Sequence, residues 1–283
     1  MNALKSKITS LALGGFDGIH LGHQALVARL GDKSALLAIE HDRICLTPGV
    51  SRERFCAAPI FFVPLDELRE MSPNAFIARL VSEFPALKRL VVGYDFRFGK
   101  DRAAGAAELK TLFANFGGEC EIVEEVKVAD VPVHAARIRL FLLDGNVRAA
   151  AKLLGRNHMI EGEIVRGQGL GAKRLYPTIN LAVTRFLAPL DGVYASQTEV
   201  LGALYKSVSF VGQRLSADGA FAIESHIIDE SFKDFAGKSE AEQPRSAAIF
   251  FAERLRENKR FDDLSNLKAQ ITNDIAAAKL LLE

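Results

Sequence analysis

The sequence predicts a chain of class α/β plus β: an α/β half followed by an all-β half, closed by one terminal helix. Three observations carry this. In the first half, short apolar runs alternate with helical patterns, which makes βαβ units and a mostly parallel sheet. In the second half, six strand-like runs follow one another with Gly, Pro and Asp between them, as in an antiparallel barrel or sandwich. The chain has 283 residues, enough for one large or two modest domains.

The elements follow in order. Residues 8–13, 35–39, 60–63, 90–92 and 121–126 read as strands, and 22–30, 73–84 and 104–116 as helices. Two helices, 136–143 and 147–154, close this half. Asp144-Gly145-Asn146 is the turn between them, and Gly155 ends the second as a C-cap glycine. The strand-like runs of the second half are 159–165, 179–183, 193–200, 204–211, 220–228 and 247–255. Residues 261–282 form an amphipathic helix with Leu264, Leu267, Ile271, Ile275 and Leu280 on its apolar side. The boundary therefore falls near residue 156, giving domains 1–156 and 157–283.

Bulk properties exclude several classes. Formal net charge is +1, so no global basic field points to nucleic acid. No run approaches the roughly 18 apolar residues of a membrane span. The apolar run at the N-terminus leads straight into a Gly-Phe-Asp turn with no cleavage-like segment, so it does not read as a signal peptide. Cys45, Cys56 and Cys120 have no metal-ligand spacing and read as free thiols in a reducing cytosol. The expectation is a cytoplasmic protein with no obligate protein partner evident.

The strongest motif is FDGIHLGH, residues 16–23, after the glycine pair Gly14-Gly15. Strand, tight turn and helix in that order put His20 and His23 at a helix N-terminus. There, backbone N–H groups and the helix dipole favour an anion, and both imidazoles reach one phosphate. Asp17 reads either as turn chemistry before a glycine or as a group that orients the motif or a magnesium ion. A second motif, GYDFRFG at 93–99, follows a strand, so Gly93 admits a ligand close to the backbone while Asp95 and Arg97 project from the strand end. By the alternation rule both motifs face the carboxyl ends of parallel strands, where ligands of such sheets bind.

The second half carries its own set. Gly167, Gly169 and Gly171 make a loop able to wrap phosphates. Thr178 and Asn180, two apart in an extended segment, put two oxygen donors on one side, suited to magnesium shared with phosphate; a solvent-facing strand edge is the alternative. In AIESHIID at 222–229, Glu224, His226 and Ile228 share a strand face.

In content and order these motifs resemble those of the bacterial bifunctional riboflavin kinase/FAD synthetases. FDGIHLGH resembles the HxGH signature of nucleotidylyltransferases. GYDFRFG resembles the family's G-x-D-F-R-F-G, and VHAARIR at 133–139 stands at its I-S-S-T-x-I-R. PTIN resembles the kinase P-T-A-N, DGVY at 191–194 the P-x-G-V-Y, and RLRENKRF at 254–261 the R-L-R-x-E-x-x-F. The resemblance implies a Rossmann-like nucleotidylyltransferase domain and a six-stranded antiparallel β-barrel kinase domain. It implies riboflavin, FMN and ATP as substrates, with magnesium, and FMN and FAD as products. Carried over residue by residue, it makes His20 and His23 catalytic in adenylyl transfer and Glu224 the base for the riboflavin 5′-hydroxyl. It assigns nucleotide binding to Gly15, Phe16, Asp17, Gly22, Gly93, Asp95, Arg97, Arg137, Arg139, Gly167, Gly169 and Gly171. Flavin binding falls to Gly192, Val193, Tyr194 and Arg254, and the metal to Thr178 and Asn180.

The sequence departs from the family pattern at AIEHDR (38–43), at His134-Ala135-Ala136 where hydroxyl residues are usual, at AKRL (172–175), at Ile179, and at GQRLS (212–216) where the family has G-x-x-P-T. Two rival readings follow: an enzyme retaining one activity, and a flavin- or nucleotide-binding regulator without turnover.

Overall fold

The computed structural model describes residues 2–165, 178–216, 218–229, 232 and 244–283. The first unit runs α1 (Asn2–Lys5), β1 (Ser10–Gly14), α2 (Leu21–Val27), β2 (Ser34–Glu40), a 3-10 turn (Gly49–Phe55) and β3 (Ile60–Pro64). It continues through α3 (Leu65–Leu68), α4 (Pro73–Glu83), β4 (Arg89–Gly93), β5 (Arg97–Phe98), β6 (Ala104–Gly105), α5 (Ala106–Ala114), β7 (Glu119–Val123), β8 (Lys127–Val128) and β9 (Val131–Pro132). The one-turn pieces α1 and α3 and the 3-10 turn are shorter than hydrophobic periodicity can resolve, and the sequence reading missed them.

Five strands form one parallel sheet in the order β3-β2-β1-β4-β7. The chain winds outward from β1 to β3, then returns to β4 on the other side of β1. That reversal is a topological switch point, and the crevice at the strands' carboxyl ends there is where such folds bind ligands. Gly14 and Gly93 end the two strands that flank it. Both faces of the sheet are covered, which is why β1 and β4 read as unbroken apolar runs. Leu11, Leu13, Leu90 and Val92 pack with Phe76, Ile77 and Leu80 of α4 and Leu109 and Phe113 of α5. Ala12, Leu36 and Val91 pack with Phe16, Ile19 and Leu26 on the opposite face. Helix α4 starts where the sequence predicts because Ser72 Oγ accepts the Ala75 N–H at 3.2 Å and Pro73 occupies the first turn.

The second unit runs α6 (Ala135–Leu143), α7 (Val147–Leu154), β10 (His158–Val165), β11 (Ile179–Ala182), β12 (Gly192–Val200), β13 (Ala203–Gln213), β14 (Phe221–Ile227), β15 (Ser246–Arg256) and α8 (Leu264–Leu281). The strands close into an antiparallel barrel in the order β10-β11-β14-β13-β12-β15, with β15 returning to β10. The alternative left open between barrel and sandwich is resolved for the barrel. Asn146 caps α7 by accepting the Ala149 N–H at 3.0 Å, and Gly155 takes the left-handed conformation at its end, φ 75°.

By compactness the chain divides into residues 1–43 with 47–135, and 44–46 with 136–283. That division comes before the 156/157 boundary read from the sequence. Helix α7 is the reason: Val147, Ala150, Leu153 and Leu154 are buried, the helix packs on β10 and β15, and Arg148 pairs with Glu253 of β15. Residues 44–46 join the second unit because Cys45 exchanges backbone hydrogen bonds with Arg185 and Leu187, at 2.6 and 2.7 Å.

The barrel interior is polar at one level. Ser196 and Thr198 of β12, Ser207 and Ser209 of β13, and Ser225 of β14 are fully buried. Their hydroxyls form a closed circuit: Ser196–Ser207 2.9 Å, Ser207–Thr198 2.9 Å, Thr198–Ser225 2.6 Å, Ser225–Ser209 3.0 Å and Ser209–Ser196 2.7 Å. A hydroxyl both donates and accepts, so a ring of them satisfies itself without water. Replacing Ser209 by Ala removes two of these bonds and leaves two buried hydroxyls short of a partner. The expected cost is about 1–3 kcal/mol, read as a lower denaturant midpoint for the barrel. An unchanged midpoint would show that the circuit does not stabilise it.

Helix α8 corrects the sequence reading in two respects. It begins at Leu264, because Asp263 caps it by accepting the Asn266 N–H at 2.8 Å. Of its expected apolar side, Leu267, Ile271 and Ile275 are half-buried and Ile275 packs against the barrel, but Leu264 and Leu280 are exposed, and the fully buried positions are Asp274 and Ala278. Asp274 tolerates burial because Arg256 of β15 grips its carboxylate with Nε and Nη2 at 2.8–3.0 Å.

Candidate active sites

The first site is built on the turn after β1. Phe16 and Ile19 have positive φ, 49° and 40°, on either side of Gly18 at φ 87°. Such conformations are costly for side-chain-bearing residues and persist where the surroundings fix them. Here Phe16 and Ile19 are fully buried, and Asp17 Oδ1 accepts the Thr47 N–H at 3.1 Å. Asp17 therefore ties the turn to the segment after β2. His20 caps α2: its Nδ1 accepts the His23 N–H at 3.3 Å. Accepting at Nδ1 makes Nε2 the protonated, donating nitrogen. The two imidazoles stack with centroids 3.6 Å apart and planes 17° from parallel, and Phe16 lies 5.2 Å from the His23 ring. The sequence thus brings His20 and His23 together as expected. Helix α2, Leu21–Val27, is only seven residues long. A Cβ on Gly22 would stand 3.1 Å from the His20 ring and 3.3 Å from the Val133 carbonyl, so a glycine keeps the stack in place.

Gly15 is exposed, and among the described residues a Cβ placed on it would meet only the Ile39 carbonyl, at 3.9 Å. Past β4, Asp95 folds back so that its Oδ1 lies 3.1 Å from a Cβ placed on Gly93. Arg97 is exposed, its Nη1 3.2 Å from a Cβ placed on Gly105. Arg137 and Arg139 lie on α6 in the second unit, the former exposed and the latter half-buried.

Two groups in this unit escaped the sequence reading. Tyr94, Glu125 and His134 form a polar triad: the Tyr94 hydroxyl donates to Glu125 Oε1 at 2.9 Å, and His134 Nε2 is 3.3 Å from both. The hydrogen bonds of Tyr94 and His134 hold the Glu125 carboxyl below its ordinary range. Its one sequence signal was His134 in a segment where the resembled family has serine. The remodelled stretch 38–43 holds the other group. Glu40, at the end of β2, accepts from the fully buried Arg52 at 2.8 Å. Burial, then the charges of Arg43 and Arg69, holds His41 below the usual histidine range.

The second site lies on the barrel. In the β11–β14 pairing Asn180 stands directly opposite Glu224, and Phe210 of β13 flanks Glu224 on its other side. Asn180 Nδ2 lies 3.5 Å from Thr178 Oγ1. Burial pushes the Glu224 carboxyl above its ordinary range, and the Arg214 guanidinium, 3.2 Å away, pulls it back down. Thr178, Asn180 and Glu224 are thus brought together as expected. Gly167, Gly169 and Gly171 lie outside the described residues.

The four expected flavin residues behave differently. Val193 lies on the outer face of the barrel, buried with Ala195 and Val208 under Ala278 of α8. Tyr194 is fully buried, its hydroxyl donating to the Leu190 carbonyl, and burial pushes it up to about 12. Neither side chain is open to a ligand. Arg254 Nη2 donates to the Asp191 carbonyl at 2.7 Å, and its Nε stands 2.9 Å from a Cβ placed on Gly192. Gly192 is required by that close approach.

Known proteins align with both units. The riboflavin kinase family profile matches residues 154–282, and the FAD synthetase profile matches residues 59–137. A bifunctional riboflavin kinase/FMN adenylyltransferase of Pseudomonas fluorescens is 30% identical, covering 95% of this chain and 91% of that one. Proteins of the same name from Escherichia coli K12 and Bacillus subtilis are 28% and 26% identical, over 95% and 93% of this chain and 91% and 89% of theirs. A solved structure titled a macrolide-efflux protein from Streptococcus pneumoniae superposes with a TM-score of 0.80 at 26% identity, covering 96% of this chain and 94% of that one. Among the described residues here, no helix is long and apolar enough to cross a membrane. Matched across nearly its whole length, with both profiles in order, the chain belongs to the bifunctional riboflavin kinase/FMN adenylyltransferase family.

Proposed function

We propose that this chain converts riboflavin and ATP to FMN and ADP, and FMN and ATP to FAD and pyrophosphate, the first reaction in residues 157–283 and the second in residues 1–156. The carrying observation is the pair of constellations: stacked His20 and His23 at a sheet switch point, and Glu224 opposite Asn180 on the barrel.

In adenylyl transfer an FMN phosphate oxygen bonds to the α-phosphorus of ATP as the bond to pyrophosphate breaks. No covalent enzyme intermediate is needed, so positioning and charge stabilisation carry the catalysis. His20 and His23 hold the α-phosphate region, with Asp17 fixing the turn that bears them. Gly93, Asp95 and Arg97 belong to nucleotide binding, the arginine through a bidentate phosphate contact. In the kinase half Glu224 accepts the proton of the riboflavin 5′-hydroxyl as that oxygen attacks the γ-phosphorus. A carboxylate raised by burial is suited to this. Gly192 and Arg254 border the flavin.

The residues fit a magnesium ion. Thr178 and Asn180 are neighbours, with the Asn180 amide nitrogen 3.5 Å from Thr178 Oγ1, and each side chain carries one neutral oxygen that could serve as a ligand. A hard cation held by two side chains and phosphate oxygens is the usual magnesium arrangement. When bound it neutralises phosphate charge. The free cysteines support a cytoplasmic enzyme, and the net charge of +1 provides no basic field for nucleic acid.

The test is chromatography of the purified chain incubated with riboflavin, ATP and magnesium, beside a reaction started from FMN. FMN followed by FAD supports both activities. FMN alone in the first tube and no FAD in either leaves a kinase only. FAD only from supplied FMN leaves an adenylyltransferase only. Flavin binding with no product overturns the enzymatic reading.

A further inference from the structure

The turn between β13 and β14 holds a chain of charged contacts that ends on the proposed base. Asp218 is fixed by the turn itself: its Oδ1 accepts the Ala220 N–H at 3.1 Å, while the Arg214 N–H donates to the Ala220 carbonyl at 3.0 Å and the Gly219 N–H to the Arg214 carbonyl at 3.1 Å. Arg214 is fixed in turn by Asp218, with Nε donating to Oδ1 and Nη2 to Oδ2, each at 3.1 Å. The remaining arm, Nη1, donates to Glu224 Oε1 at 3.2 Å. The Arg214 and Glu224 side chains are each only 21% exposed, so their contact is sheltered from solvent screening. A second anchor holds the segment from the other side. The Asn258 amide donates to the Gln213 carbonyl at 2.7 Å, and the Phe261 N–H donates to Ser216 Oγ at 2.8 Å.

We propose that Arg214 is a positioning residue for phosphorylation of the flavin alcohol: it holds Glu224 by Oε1 and leaves Oε2 as the oxygen that takes the hydroxyl proton. This rests on reading Glu224 as the base. The physical argument is geometric. A glutamate on a strand has several rotamers, and a general base must sit within hydrogen-bond reach of the proton it takes. A guanidinium gripped by a carboxylate on one edge presents its remaining N–H at a fixed place, which a flexible ammonium cannot do. Asn180 and Phe210, opposite Glu224 on the flanking strands, carry no charge, so Arg214 is the cation that orients it among the described residues.

The experiment measures steady-state FMN formation by the full chain and its R214M, R214K, D218N and E224Q variants. FAD formation from supplied FMN and the thermal melt serve as controls. The inference expects R214M to lower kcat by about 10- to 100-fold with KM for riboflavin and ATP within about 2-fold, because a misplaced base costs rate and not binding. R214K and D218N should fall between, since each leaves one contact of the chain. Three results would overturn it: kcat for R214M equal to wild type, KM rising at constant kcat, which would make Arg214 a substrate contact, or full rescue by R214K. If R214M does not fold, R214K and D218N decide by the same split. E224Q separates the premise from the inference. If E224Q keeps its rate, the base reading itself fails; if it loses its rate while R214M does not, the role of Arg214 alone fails.

Discussion

Glu224→Gln is expected to lower FMN formation by about 10²- to 10⁴-fold, the usual contribution of a positioned general base, while FAD formation from supplied FMN stays at the wild-type rate. Glutamine keeps the shape of the side chain and an oxygen for the Arg214 N–H, so the barrel should remain folded. What it loses is the ability to take a proton. The pH dependence gives a second reading. The base works only when deprotonated, so the kinase rate falls as pH falls through its folded-state value. Burial raises that value, with Arg214 opposing and Asp218 adding to the rise. The acid limb of kcat/KM should therefore lie at higher pH than an ordinary glutamate would give. Product chromatography at several pH values checks both. Loss of both products in the folded variant would contradict separate sites.

The second large effect is the converse. His23→Ala is expected to reduce FAD formation by about 10²- to 10³-fold, the scale of removing one preorganised donor from a charged transition state, with FMN formation unchanged. His23 is a cleaner target than His20. Its contribution to the cap of α2 is a backbone N–H, which alanine retains, whereas His20 supplies the accepting ring nitrogen. A rate change in His23→Ala thus reports the imidazole and not the helix. Equal FAD formation by variant and wild type would remove His23 from the chemistry.

Local pattern determined a good deal of this molecule. Alternating apolar runs and helical segments identify the α/β half because a buried parallel strand is apolar throughout and its helix is not. Gly155 marks the end of α7 because the left-handed backbone there makes its demand within a few residues. FDGIHLGH marks the first site because the turn, cap and both imidazoles fall within one short span of chain. Only the tertiary structure decided the rest. Barrel closure depends on β15 returning to β10, far apart in sequence. Helix α8 turns Asp274 inward against Arg256, and hydropathy ranks that carboxylate as surface because it cannot know of the cation that satisfies it. Tyr194 and Val193 sit where a motif suggests ligand contact, but the strand's alternation and the packing of α8 bury both. The Asp218–Arg214–Glu224 chain and the Tyr94–Glu125–His134 triad are likewise products of the fold. The contacts that join their residues leave no periodic or spacing signal, because hydrogen bonds between side chains depend on distance in space and not on pattern in sequence.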